Sequence, residues 1–285
     1  MALLDRLELG DHVCWTIDDD TVRLDEIVGV LHGGLLARHK VVFSGDDPDI
    51  VVTALERRGV RVREVLGSGQ LTAATPESSY LAGGGFDAEG TLELWHGEKE
   101  RARAEGYLGL RVVGDMNWAT RGVPGAERLE WYEGRVNKNF ADGYIMGVCA
   151  YDRRVFDALQ LRRLALSHPA AAGPLLPFDP ETSLRIRTTE QPYGLWLSGE
   201  ADMSNRHALK AMVEEAYRER EGRPVITLDV TALRFADTAA ARVLLHSAAT
   251  LGPMQVVGCS PVLLRLLQFH GAESIPGLTV TDGYE

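Results

Sequence analysis

Phe235-Ala236-Asp237-Thr238-Ala239-Ala240-Ala241-Arg242-Val243 is the stretch whose reading decides the C-terminal part of this chain. It follows an apolar run of strand type, Val225-Ile226-Thr227-Leu228-Asp229-Val230, and leads into an amphipathic helix. Strand, Asp-Thr pair and helix start together place one hydroxyl at a helix N-terminus. Backbone N–H groups are unpaired there and the helix dipole is positive, so a phosphate on Thr238 would be accommodated. Such a position can switch a binding surface by phosphorylation, which points to signalling rather than metabolism. The competing reading is that Asp237 and Thr238 only cap the helix.

Around this stretch the pattern is that of a small α/β unit. Leu195-Trp196-Leu197-Ser198-Gly199 reads as a strand, and Ser204 is placed to cap a helix carrying Leu209, Met212, Val213, Ala216 and Tyr217. Gln255-Val256-Val257-Gly258 reads as a strand, a helix is expected from about Pro261 to Phe269, and Leu278-Thr279-Val280 closes the unit. Upstream, Gly173-Pro174-Leu175-Leu176-Pro177-Phe178-Asp179-Pro180 excludes regular helix or central strand and marks a boundary. The division expected is residues 1–178 and 183–285.

The first segment alternates strand and helix patterns. Leu24, Ile27, Val28, Leu31 and Leu35 share a helical face, and Val41-Val42-Phe43 reads as a buried strand. Ile50, Val51, Ala54 and Leu55 mark a helix, and a polar helix spans about Asp87 to Glu105. Leu110–Gly114 and Tyr144–Cys149 are strands. Leu129, Tyr132, Val136 and Phe140 line one helix, and Val155, Leu159 and Leu166 another. Repeated β-then-α units imply an α/β fold with a mainly parallel sheet covered on both faces.

Bulk properties set limits. The 285 residues are 45% hydrophobic, enough for one large or two medium cores. No apolar run approaches the roughly 18 residues of a membrane span, and no secretory leader pattern opens the chain. Cys14, Cys149 and Cys259 are scattered and odd in number, so no disulfide framework is expected and a cytoplasmic location is. A net charge of −11 lacks the basic footprint of a nucleic-acid binder.

The second segment resembles a STAS domain of the anti-sigma factor antagonist family. The resemblance rests on Leu197-Ser198-Gly199-Glu200-Ala201-Asp202-Met203-Ser204, Leu228-Asp229-Val230-Thr231 and Phe235-Ala236-Asp237-Thr238. It implies docking on an anti-sigma factor or serine/threonine kinase through Asp202, Ser204, Asp237 and Thr238. It also implies phosphorylation at Thr238 that releases the partner. The family usually has Ser at that position, followed by Ser-Gly. Here Thr238-Ala239-Ala240 adds a methyl group to the acceptor and removes backbone freedom from the turn.

The first segment resembles the MEDS domain of prokaryotic sensors of small hydrocarbon-type molecules, itself similar to RecA/KaiC-like ATPases. The marks are Gly10-Asp11-His12-Val13-Cys14-Trp15, Tyr80–Asp87, Gly114-Asp115-Met116-Asn117-Trp118-Ala119, Trp131-Tyr132-Glu133, Cys149-Ala150-Tyr151-Asp152 and Ser167-His168-Pro169. No G-x-x-x-x-G-K-[ST] occurs, and Ser44-Gly45-Asp46-Asp47-Pro48 follows the first buried strand. Two carboxylates without a lysine repel a triphosphate, so no ATP hydrolysis is expected. Asp115, at a strand end, is then a pocket or hydrogen-bonding group.

His12 and Cys14, two apart on an extended segment, face one side. Imidazole and thiol suit a transition metal or a redox-sensitive site, but two ligands are too few unless Cys149 or His168 converges on them. A small buried thiol and a hydrogen-bonded histidine are favoured over a metal at His12 and Cys14, and a pocket role without metal stays open beside them. Trp15, Trp118, Trp131, Tyr132 and Tyr151 wall an apolar effector cavity or are ordinary core. Asp115, Glu133 and Asp152 are candidate polar anchors, or caps and ion-pair partners. Gly83-Gly84-Gly85 lacks a dinucleotide fingerprint and reads as a turn, and Glu98–Glu105 as a solvated helix face. No G-x-S-x-G or H-E-x-x-H occurs, so no enzyme is expected.

The expected protein is therefore a cytoplasmic signalling protein without nucleic-acid or membrane partners. Its sensory domain binds a small organic effector or reports redox state through His12, Cys14, Trp15, Asp115, Trp118, Tyr132, Glu133 and Tyr151. Its second domain passes the signal to an anti-sigma factor or kinase. The alternatives are a constitutive STAS scaffold with a structural first domain, and a nucleotide-binding enzyme with a degenerate phosphate loop.

Overall fold

Period-two burial organises the first domain. The computed structural model describes residues 4 and 6–283. Strands β1 (His12–Ile17), β2 (Lys40–Ser44), β3 (Leu71–Ala74), β4 (Leu110–Asp115), β5 (Ile145–Asp152) and β6 (Ala170–Ala172) form one sheet in the order β3-β2-β4-β5-β1-β6. Every pairing in it is parallel. On β1, Val13, Trp15 and Ile17 enter one core with Val41, Phe43, Val113, Met146 and Val148. That core is closed by α1 (Asp20–Leu36), α2 (Pro48–Arg57) and α3 (Val62–Gly67). Cys14, Val42, Val112, Cys149 and Tyr151 point the other way, into a core closed by α4 (Ala88–Ala104), α5 (Leu129–Arg135) and α6 (Ala158–Leu166). Continuous burial of β2 and β5 is what a parallel sheet covered on both faces requires.

The second domain has a five-stranded sheet in the order β11-β10-β9-β8-β7. Its elements are β7 (Arg185–Glu190), β8 (Tyr193–Ala201), α7 (Arg206–Glu219), β9 (Ile226–Ala236), α8 (Thr238–Leu251), β10 (Met254–Val257), α9 (Pro261–Phe269) and β11 (Leu278–Val280). β7 is antiparallel to β8 and the remaining pairs are parallel. Leu209, Met212 and Val213 of α7 and Ala241, Leu244 and Leu245 of α8 pack with Leu195, Leu197, Ile226 and Leu228 of the sheet.

Three sequence expectations need correction here. Ser204 does not cap α7: Asn205 is the residue before the helix, and the exposed Ser204 hydroxyl donates to Asp202 Oδ1 at 2.6 Å. Asn205 instead ties the loop together, its Nδ2 donating to the Glu200 carbonyl at 2.8 Å. Val155 lies in a turn before α6, not on it, because the Asp157 side chain caps the helix through the N–H groups of Leu159 and Gln160. The helix expected over Leu129 to Phe140 ends at Arg135 and continues as a 3₁₀ turn over Val136–Asn139. The sequence reading also omitted β3, α3 and β6, each six residues or shorter.

The two domains meet through ion pairs and hydrogen bonds. Arg185 of β7 forks onto Asp11, with Nε–Oδ1 at 2.7 Å and Nη2–Oδ2 at 3.0 Å. Arg187 donates to the carbonyls of Leu9 (3.0 Å) and Gly10 (3.2 Å), and Thr188 N–H donates to the Ala141 carbonyl at 3.1 Å. Arg135 reaches Glu214 at 2.9 Å and Glu215 at 3.3 Å on α7, and Lys138 reaches Glu215 at 3.2 Å.

Gly199 sits at a register irregularity of β8 with φ +82°, and an added Cβ would lie 2.0 Å from the Ser183 carbonyl oxygen. Gly199→Ala is expected to destabilise the protein by about 1–3 kcal/mol, from a left-handed backbone and an overpacked strand edge. Urea denaturation of the full chain measures it, and an unchanged midpoint would contradict this account of the bulge.

Candidate functional site

His12 opens β1, and its parallel neighbour β5 sets Cys14 opposite Cys149 and His12 opposite Gly147. Gly147 has no side chain for a reason: a Cβ there would stand 2.7 Å from the Phe140 ring and 3.4 Å from His12. Phe140 fills that space and stacks on the His12 ring, with centroids 4.5 Å apart and planes 10° from parallel. His168, just beyond α6, lies 4.3 Å from His12 between ring centroids.

Four side chains from separate parts of the chain converge on one point. They are His12, Glu133, Cys149 and His168, each offering one ligand atom, and these atoms all lie within 4.8 Å of one another. His12 Nε2 is 3.4 Å from Cys149 Sγ and 3.5 Å from Glu133 Oε2. His168 Nε2 is 3.3 Å, and Cys149 Sγ 3.6 Å, from the same Glu133 oxygen. Glu133 and His168 are wholly shielded from solvent.

The outer contacts fix the direction of each group. The Asn137 amide donates from Nδ2 to the carbonyls of Glu133, Gly134 and Ser167, each at 3.0 Å. Its Oδ1 therefore faces His12 Nδ1 as an acceptor, at 2.8 Å. That acceptor requires the proton on Nδ1 and leaves the Nε2 lone pair of a neutral His12 turned toward the centre. The Leu164 carbonyl does the same for His168, at 2.8 Å from Nδ1. Tyr151 donates to Glu133 Oε1 at 2.5 Å, leaving Oε2 for the other groups.

Electrostatics follow from this enclosure. Burial, and then His168, push the His12 imidazole below its ordinary value despite Glu133. Burial opposes ionisation of Glu133, but His168 and His12 beside it hold its carboxyl well below the usual carboxylate range. Burial, and then Glu133, raise the thiols of Cys149 and Cys14 and the phenol of Tyr151 far above their ordinary values. Reactive sensor thiols have the opposite character, a depressed pKa and access to solvent.

Beside the cluster is a small apolar cavity of about 20 Å³, counted as room for the centre of a water molecule. His12 and Cys149 line it together with Tyr80, Trp95, Tyr132 and Phe140, among others.

The sequence candidates separate into two groups. His12, Tyr132, Glu133 and Tyr151 belong to the cluster or its cavity. Cys14 shares the strand face of His12, yet the thiol that joins His12 is Cys149. Trp15 points into the opposite core, as strand alternation dictates, and its indole N–H is buried without a hydrogen-bond partner. Trp118 is packing, 4.9 Å from Phe86 and 5.6 Å from Tyr80 between ring centroids. Trp131 is 39% exposed and lies under Arg128 and Arg135, so it walls no cavity. Asp115 ends β4 in an ion pair with Arg23 and caps the following turn through the Asn117 N–H. Asp152 pairs with Arg154 at 2.6 Å. Asn137 was missed, because nothing in its spacing sets it apart from an ordinary helix-end amide.

In the second domain, Asp237 is the cap of α8: Oδ1 accepts from Ala240 N–H at 2.9 Å and Oδ2 from Met203 N–H at 3.0 Å. Thr238 is the first helical residue and is exposed. The loop of Asp202 and Ser204 is thereby drawn against the start of α8.

Comparison with known proteins places both halves. Residues 184–279 match a family described as Mlab, STAS domain. Among solved structures, a KaiC-like protein from Pyrococcus horikoshii is 9% identical, covering 66% of this chain and 77% of its own, with a TM-score of 0.41. The flagellar accessory protein FlaH from Methanocaldococcus jannaschii is 10% identical, covering 66% and 76%, with the same TM-score. No curated protein matches the chain. Residues 11–169, more than half of the sequence, match the family described as MEDS, MEthanogen/methylotroph, DcmR Sensory domain. The chain belongs to the MEDS family and carries a STAS domain fused behind its sensory domain.

Proposed function

We propose that this protein senses a small apolar effector in its first domain and transmits the result through its STAS domain to an anti-sigma factor or serine/threonine kinase. The observation that carries the reading is where the cavity stands relative to the domain contacts. Tyr132 and Val136 line the cavity, and Arg135 and Lys138, on the same short stretch, pair with Glu214 and Glu215 of α7. Asp11, next to His12, holds Arg185 of β7. The free space suits a molecule no larger than water, so an effector of a few heavy atoms enters only by moving its walls. Displacing Tyr132 or Phe140 shifts the segment 132–138 and the ion pairs it carries. An effector that favours one arrangement shifts the population of STAS-domain states by its differential affinity for them.

The output surface is the loop of Asp202 and Ser204 with Asp237 and Thr238. Half-exposed Met203 and Phe235 flank it and offer apolar contact to a partner. A phosphate on Thr238 adds about −1.5 to −2 charges beside Asp237 and repels an acidic partner groove. Nucleotide chemistry has no support at the corresponding strand end. A Cβ at Gly45 would meet Phe43 at 2.5 Å and Asp115 at 3.0 Å, and Arg121 is paired with Asp46.

Incubation with the cognate kinase is expected to add one phosphate per chain, abolished in Thr238→Ala. Thr238→Glu is expected to weaken partner binding about tenfold or more; wild-type affinity in Thr238→Glu with no mass shift on the native protein would overturn the output assignment. Saturation with the true effector at a hundred times its Kd is expected to raise stability by about 2.7 kcal/mol. Thermal shift of the full chain across short hydrocarbons and their small derivatives tests this, and no shift for any of them would leave the constitutive scaffold as the better reading.

A further inference from the structure

We propose that His12, Glu133, Cys149 and His168 bind one divalent first-row transition ion, of zinc type, in the first domain. This deepens the sensory reading of the same site by naming a resident group beside the effector cavity. Three independent features point to it.

The first is spacing. Bonds of about 2.0–2.3 Å to nitrogen, oxygen and sulfur in a tetrahedral arrangement place neighbouring ligand atoms about 3.3–3.8 Å apart. Four of the separations among the four ligand atoms are 3.4, 3.5, 3.3 and 3.6 Å. Hydrogen bonding to a buried carboxylate accounts for the thiol, but not for two imidazole nitrogens whose protons lie on Nδ1, drawn to the same set of edges.

The second is direction. Asn137 Oδ1 and the Leu164 carbonyl accept from Nδ1 of His12 and His168, so both neutral rings aim Nε2 lone pairs inward. His168 Nε2 is buried and makes no hydrogen bond, although Glu133 Oε2 is 3.3 Å away. With both rings neutral, two lone pairs and a carboxylate oxygen face one point and repel one another until a cation, either a metal ion or a ring proton, lies between them. Outer hydrogen bonds from ligands to amides, carbonyls and phenols are the usual second layer of a metal site. Tyr151 on Glu133 Oε1 completes that layer.

The third is charge. Coordination deprotonates Cys149, the thiol proton leaving to solvent, so one thiolate and one carboxylate neutralise a 2+ ion in a buried site. Mixed imidazole, thiolate and carboxylate donors in tetrahedral array suit zinc or ferrous iron and exclude calcium and magnesium, which need more oxygen ligands. His12 and Cys149 also wall the cavity, so an effector there would lie against the coordination sphere.

The test uses full-length protein. Elemental analysis of protein purified without chelator is expected to give about one transition ion per chain. Metal-free protein titrated with Co²⁺ alone is expected to develop a thiolate-to-cobalt band in the near ultraviolet and intense visible bands of tetrahedral cobalt. Cys149→Ser should lose the thiolate band, while Cys14→Ser and Cys259→Ser keep it. Tyr151→Phe, which retains every ligand, should weaken Co²⁺ affinity about 10–100-fold with an unchanged far-ultraviolet circular dichroism spectrum. Substoichiometric metal with no cobalt bands in folded protein, or a thiolate band that survives Cys149→Ser, overturns the proposal. Effector thermal shift on chelated protein separates the two ideas: a shift there with no cobalt bands sinks the metal and leaves the sensor.

Discussion

A carboxylate with no access to water must be met by other groups, and Glu133 imposes that demand on the first domain. It accepts from a phenol and a thiol of β5 and faces an imidazole of β1 and another from the segment after α6. None of these groups is costly to bury alone in the way that an ionised carboxyl is. Satisfying it fixes the position of α5 over the sheet, the pairing of β1 with β5 at that end, and the place of His168. Asn137, which spends all of its amide donors on nearby carbonyls, locks the imidazole of β1 into the same arrangement.

The segment that bears this carboxylate also bears the cations that touch the second domain. Glu133 faces inward from α5, whereas Arg135 is turned toward α7. Lys138, one turn further on, reaches Glu215 and, at 3.7 Å, Glu219. On β1, His12 and Asp11 divide the same way, one to the cluster and one to Arg185. Glu215 and Asp11 are buried, so these pairs are less screened by salt than surface pairs. The geometry of the cluster and that of the domain contact share short pieces of backbone.

Much of the fold was legible in residue order. Alternating apolar runs and helical faces specify repeated β-α units, which implies a mainly parallel sheet covered by helices. The proline-rich stretch after Gly173 could not continue either regular structure. Short elements such as β3 and β6 left no pattern, because three or four residues hold too few alternations to stand out. The cap of α7 was misassigned because Ser204 has the right chemistry, but its hydroxyl is spent on Asp202 one step too early.

The sequence by itself determined the two-domain α/β architecture, the family of each half and the Asp-Thr start of α8, because these are local patterns carried by neighbouring residues. Only the tertiary structure decided that Cys149, not Cys14, joins His12, that His168 and Glu133 meet them, and that Trp15, Trp131 and Asp115 stand elsewhere. The reason is physical: strand alternation says which face a residue takes, but the meeting of positions 12, 133, 149 and 168 depends on strand order, register and helix placement, which no spacing along the chain encodes.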